Sequence, residues 1–359
     1  MRRAALLVVL FVVTACGSSS SAANTTSPSA SASASATSSA SASPSQSPSA
    51  SPLASLPCKM PAILRTNGTE MFLGWLSLPS GTTTDETRVH IAQQGTLNGG
   101  IIWATDKSPQ LYGNGGAAWS DAINGWVPVP PQLLAADGIH YAYLNADGKI
   151  HIGNAQTGQE AFIANPFHLA PLAYLAAGVV LTQANPPQTG LWLLDPATQT
   201  ISAISASSAQ NFWLTASGGS VWGVDSGGGL GSPPSKKLLT AQAIPNPQII
   251  NPTNTASVVY TAPAGDSIYQ VAPDTKGGVL VIITGSTPGL VYLPQGGAAT
   301  PYQAPPGVNL AALGPLYHAD AHGIWLTGNS GVFLFNTTSG LQKIAGAVNS
   351  AFAPAGDCV

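Results

Sequence analysis

Residues 137–163 read DGIHYAYLNADGKIHIGNAQTGQEAFI. A glycine at a turn leads a short apolar run, Asp147-Gly148 ends it, and two further short runs follow across Gln156-Thr157-Gly158. Short β-rich runs punctuated by Asp-Gly and Thr-Gly are the pattern of antiparallel strands joined by tight turns. The same pattern returns as AGVVLTQANPPQTGLWLLDPATQTISAI (177–204), GGVLVIITGSTPGLVYLPQGGAATPYQA (277–304) and HGIWLTGNSGVFLFNTTSGLQKIAG (322–346). Gly138, Gly178, Gly218, Gly278 and Gly323 lead these units at intervals of 40, 40, 60 and 45 residues. The long interval holds a Gly/Pro-rich insertion at 226–235, and GGIIWATD (99–106) lies one interval before Gly138. Residues 58–94 leave room for one more unit.

Units of about 40–45 residues with three or four strands are blades of a β-propeller. One such sheet cannot bury both of its faces, but stacked around a ring it can. Residues 57–359 are therefore expected to be all-β, a propeller of seven blades, with six or eight left open. No stretch shows helical periodicity longer than about two turns. GLWLLDPATQTISAI (190–204) resembles the repeat of YVTN/YncE-like propellers, and DGIHYAYLNADGKIHIGNAQTG (137–158) resembles a TolB-type, WD40-like unit. These resemblances imply a fold and carry over no functional residue.

The first 56 residues differ from the rest. Met1-Arg2-Arg3 and the apolar run of residues 4–13 have the layout of an export signal too short to span a bilayer, which needs about 20 apolar residues. The following Val13-Thr14-Ala15-Cys16-Gly17 resembles the lipobox of bacterial lipoproteins. That resemblance implies cleavage after residue 15, a diacylglyceryl thioether on Cys16 and a membrane-anchored chain on the extracytoplasmic side. Ordinary signal cleavage with a free Cys16 is the alternative. Residues 16–56 are Ser, Ala, Thr and Pro almost throughout, without charge, and read as a disordered linker. As a flexible coil, 40 such residues span roughly 35 Å on average. With Cys16 lipidated, Cys58 and Cys358 remain as a pair in an oxidising compartment. A disulfide between them would close the ring, and free thiols are the alternative.

Only 7% of the residues are charged. Without Arg2 and Arg3 the chain has nine basic and fourteen acidic side chains, a net charge of −5, and one adjacent basic pair, Lys236-Lys237, read as a solvated loop. Phosphate neutralisation needs clustered cations, so nucleic acid is excluded as a partner. Asp137, Asp147, Asp195, Asp225 and Asp274 stand at turn positions. His318, Asp320 and His322 alternate as strand neighbours would and are metal candidates, although Asp320 to Gly323 also matches the turn that opens a repeat. Trp119 and Trp126 flank a predicted loop, SDAING, and are ligand-contact candidates; Trp192, Trp222 and Trp325 occupy repeat strands. No GxSxG, HExxH or phosphate-loop motif occurs, no cofactor is expected, and a monomer is.

These features suit a non-enzymatic binding or scaffold module for an envelope protein or polysaccharide. An extracytoplasmic lyase or glycan hydrolase is the alternative, and a sensor or accessory subunit of an envelope complex a third. Three or more His, Arg, Asp or Glu converging at the channel mouth would mark the enzyme. An axis of Ser, Thr, Gly and apolar groups would mark the binding module.

Overall fold

The computed structural model describes residues 56–66, 70–90, 96–97, 100–101, 116–145, 147–165, 168–183, 190–205, 212–225, 234–243, 256–346 and 352–359, all within the unit Ser49–Val359. The export signal, Cys16 and all of the linker but Leu56 lie outside the described residues.

The chain enters on β1 (Cys58–Thr66), β2 (Glu70–Leu78) and β3 (Thr82–His90). Two short hairpins follow: β4 (Thr96–Leu97) with β5 (Gly100–Ile101), then β6 (Ala118–Ser120) with β7 (Gly125–Val127). Next is the meander β8 (His140–Leu144), β9 (Ile150–Asn154) and β10 (Glu160–Ile163). The next sheet holds β11 (Leu169–Leu175), β12 (Gly178–Gln183), β13 (Leu191–Asp195) and β14 (Thr200–Ser205). After it come β15 (Phe212–Ser217), β16 (Ser220–Val224), β17 (Lys237–Gln242) and β18 (Ser257–Thr261). The next sheet is β19 (Asp266–Pro273), β20 (Val279–Gly285), β21 (Gly289–Leu293) and β22 (Thr300–Tyr302). The last meander is β23 (Leu313–Asp320), β24 (Gly323–Gly328), β25 (Gly331–Asn336) and β26 (Gly340–Ala345). A final strand, β27 (Ala353–Pro354), returns to pair with β1 in the order β27-β1-β2-β3. Every pairing is between antiparallel neighbours, and the chain forms a β-propeller with six blades of three or four strands among the described residues. Seven are expected from the repeat; the two hairpins β4–β5 and β6–β7 stand where the remaining unit falls, and most of residues 91–115 lie outside the described residues.

The reason for radial stacking is visible in single strands. In β20, Val279, Val281 and Ile283 join a core shared with β15–β18, while Leu280 and Ile282 join a core shared with β23–β26. Successive strand side chains point to opposite faces, so a run apolar at every position has two faces to bury. In β25, Phe333 and Phe335 pack back against the preceding sheet, and Val332 and Leu334 pack forward against Met60, Leu76 and Leu78 of the first. The hairpin β6–β7 takes its place in the ring the same way. Trp126 packs with Ile63, Met71 and Leu73 on one side, and Val127 and Val129 pack with Tyr141 and Tyr143 on the other.

The ring closes twice over. The C-terminal strand β27 supplies the inner edge of the sheet that the N-terminal strands begin, and Cys58 and Cys358 form a disulfide, Cα to Cα 5.6 Å across 300 residues. Lys59 and Val359 exchange both backbone hydrogen bonds beside it. Two of the repeat glycines show why a side chain is excluded there: Gly178 (φ +130°) and Gly323 (φ +141°) leave no room for a Cβ, which would run into the carbonyl oxygens of Leu194 and Phe335.

Candidate functional site

The innermost strands β11, β15, β19, β23 and β27 neighbour one another around the axis. A β-bulge in each of β11, β15 and β19 falls at Leu172, Leu214 and Tyr269. Leu214 and Tyr269 are 43% and 48% exposed. Across the axis Thr215 Oγ1 and Tyr317 Oη share a hydrogen bond of 2.5 Å, and burial pushes the Tyr317 phenol up to about 12. The only His, Asp, Glu, Lys or Arg residues on these five strands are Asp266, His318 and Asp320. Asp266 is committed to Thr287, whose backbone N–H and hydroxyl both donate to it. These five strands therefore carry few charged groups, and their other polar side chains are hydroxyls apart from the buried amide of Gln270.

The turns follow one rule. Asp137, Asp147, Asp195 and Asp274 each accept a backbone N–H from two residues on, a turn role, whereas Asp225 accepts from the N–H groups of Lys236 and Lys237, at the start of β17. Lys236 departs from a solvated loop: its ammonium donates to the Asp266 carbonyl.

Because the sheets are meanders running in one sense, the turns that leave the innermost strands share one face of the ring. The Cys58–Cys358 clasp lies on this face, and so do the two candidate sites. The first site is aromatic. Trp119 and Trp126 lie directly opposite across β6–β7, with ring centroids 5.4 Å apart and planes at 78°. Trp75, from β2, completes the group 5.0 Å from Trp119 at 68°. All three rings are half-buried. Trp119 Nε1 donates to Asp121 Oδ1 at 2.8 Å, and Trp119 N to the Ala355 carbonyl at 2.7 Å, which fixes the hairpin beside the C-terminal strand. Aromatic edges and faces with a carboxylate at the rim suit a sugar ring, apolar on its C–H face and hydroxylated at its edge. The sequence pairs Trp119 with Trp126 through their short loop; Trp75, 44 residues earlier, carried no local signal.

The second lies between the β19–β22 and β23–β26 sheets, a pocket of about 150 Å³. Asp274 and Asp320 occupy equivalent turns on its two sides. Asp274 accepts from the N–H of Lys276 and Gly278 at 2.8 Å each, and from the Tyr292 hydroxyl at 2.5 Å. Burial first, and that bond second, raise the Tyr292 phenol far above its ordinary value, so it stays a donor. Asp320 is fully enclosed: Oδ1 accepts from His322 N at 2.8 Å, and Oδ2 from Trp325 Nε1 at 2.8 Å and Cys358 N at 3.0 Å. His318 Nε2 instead pairs with Asp357 Oδ1 at 2.7 Å, and this bond holds the Asp357 carboxyl below its usual range. Asp320 is thus the turn cap of its repeat, His318 turns away from it toward Asp357, and only His322 Nδ1 stands near it, at 3.3 Å. Among the described residues no three His, Cys, Asp or Glu side chains are placed to hold a metal ion.

A third cluster carries no local signal in the sequence. His151, 4% exposed, meets Glu160 Oε2 at 3.1 Å, the Tyr143 hydroxyl at 2.9 Å and Asp147 Oδ2 at 3.4 Å. It lies on β9, away from the axis. Alternation along β8–β10 places Tyr143, His151 and Glu160 on one face, but only the register reveals it.

No family model matches the chain, and no curated protein matches it. Among solved structures, the chain is similar to TolB from Acinetobacter baumannii, at 10% identity and TM-score 0.40, over 84% of this chain and 67% of that one. It is also similar to the WD40 repeats of RRP9, at 11% identity and TM-score 0.40, over 82% and 85% of the two chains. Prolyl oligopeptidase B from Galerina marginata, at 11% identity and TM-score 0.41, aligns over 82% of this chain, which spans 42% of that enzyme.

Proposed function

We propose that the chain is an exported lipoprotein, anchored by a lipid on Cys16 and spaced from the membrane by residues 16–56, whose propeller is a non-enzymatic binding module for a cell-envelope polysaccharide. The ring has seven blades in this reading. The 27 strands and the bridge Leu134–Tyr141, which stands in for an inner strand before β8, make seven sets of four if β4–β7 are one blade. The observation that carries the function is the half-exposed group Trp75, Trp119 and Trp126, with Asp121 beside it, on the clasped face. An axis poor in charge agrees with binding rather than chemistry.

The test is calorimetry of the full chain against purified envelope polysaccharides. Saturable binding is expected, weakened tenfold or more by Trp119→Ala, with a tenfold loss corresponding to about 1.4 kcal/mol. Binding to envelope proteins alone, indifferent to Trp119, would replace the polysaccharide with a protein ligand. The cluster of Tyr143, His151 and Glu160 favours a second reading, a glycan-cleaving enzyme; product release abolished by Glu160→Gln would establish it.

A further inference from the structure

We propose that the pocket between the β19–β22 and β23–β26 sheets is a second binding site, which holds a single neutral hexose ring. This goes beyond the polysaccharide reading at the tryptophans and does not rest on it.

The part-exposed Tyr292 ring gives the pocket an apolar surface and lies 5.7 Å from the ring of Phe335, which, like Ile324, is buried. Around it stand polar groups with no partner among the described residues: two donors, the Lys276 ammonium and the Asn336 amide N–H₂, whose Oδ1 is already engaged by Thr338 and Ser339, and one acceptor, His322 Nε2, in the tautomer whose Nδ1–H faces Asp320. Thr275 and Thr337 add two hydroxyls at the rim. A hydroxyl-rich ring with an apolar face matches both surfaces at once.

Charge and size narrow the class. Asp274 and Asp320 carry two negative charges against one fixed positive charge, Lys276, so the pocket does not favour an anion. Both carboxylates are saturated by N–H and O–H donors, which leaves them poor ligands for a cation. The pocket measures about 150 Å³. That is below the roughly 300–1,000 Å³ of drug-sized sites and fits one ring, not a chain of them.

The experiment is saturation-transfer NMR and calorimetry on the full chain in a non-glycosidic detergent. The probes are methyl glycosides of glucose, galactose, mannose and N-acetylglucosamine, with glucuronate as the charged comparison. At least one neutral glycoside is expected to bind with a Kd of about 1 mM. Lys276→Met and Asn336→Asp, which keeps the turn-capping oxygen, should each weaken it about tenfold. Their melting temperatures should stay near that of the parent, and Trp119→Ala should leave this binding intact. Failure of all four glycosides to bind, or tighter binding of glucuronate, overturns the proposal. So does binding lost with Trp119→Ala and kept with Lys276→Met, a result that would leave the polysaccharide reading standing.

Discussion

At the scale of single residues, carboxylates hold this protein's turns, and one of them does more. Asp320 caps the β23–β24 turn, takes the Trp325 indole N–H and takes the backbone N–H of Cys358, so it ties the last sheet to the clasp. Replacing it by Ala strands two buried donors, each worth about 1–3 kcal/mol, and Asp320→Ala should lower stability by about 3 kcal/mol in urea unfolding. An unchanged midpoint would show that those bonds are dispensable. The turn acids also set the acid limit. Asp195 and Asp266 are held below their ordinary values chiefly by hydrogen bonds from Thr198 and Thr287, and Asp357 by His318. For Asp137 and Asp147, burial pushes up but is outweighed by hydrogen bonds from His140 and from Lys149 and His151. A carboxyl whose folded pKa is depressed stabilises the fold above its unfolded pKa, and that stability drains as pH falls through the folded value. Melting temperature should therefore hold flat above about pH 5 and fall below about pH 4.

At the scale of elements, middle strands such as β20 and β25 are apolar along almost their whole length because each sheet has a neighbour on both faces. Leu280 lies in one inter-sheet core and Val281, next to it, in the other. Leu280→Ala and Val281→Ala should both destabilise, the former by about 2–5 kcal/mol, whereas a sheet with one solvated face would tolerate one of the pair. Much of this was legible beforehand. The glycine series marks the entry to a strand in each unit, with Gly178 and Gly323 at positive φ, although in one unit Gly277 takes that geometry and Gly278 lies against the Tyr292 hydroxyl. Trp119 and Trp126 were readable because a short loop brings them face to face. Trp75 was not, since it arrives from another sheet. Asp274 and Asp320 could have been paired by their equivalent places in successive repeats, but their pocket depends on how adjacent sheets pack. Bulges in the inner strands leave no trace in composition.

At the scale of the whole molecule, the last strand finishes the sheet that the first strands begin, and a covalent bond holds the two ends together. Such a ring gains most from a clasp, because the unfolded chain without it has the longest loop to close. If the lipid on Cys16 is the anchor, Cys16→Ser should move the folded chain from the membrane to the soluble fraction in fractionation, with its unfolding curve unchanged. Equilibrium unfolding of the chain with Cys58 and Cys358 bonded, and again after reduction verified by mass, tests the closed ring most directly. The ring requires a single transition in the bonded form and a loss of stability on reduction of up to about 5 kcal/mol. An identical midpoint in the two forms would contradict it.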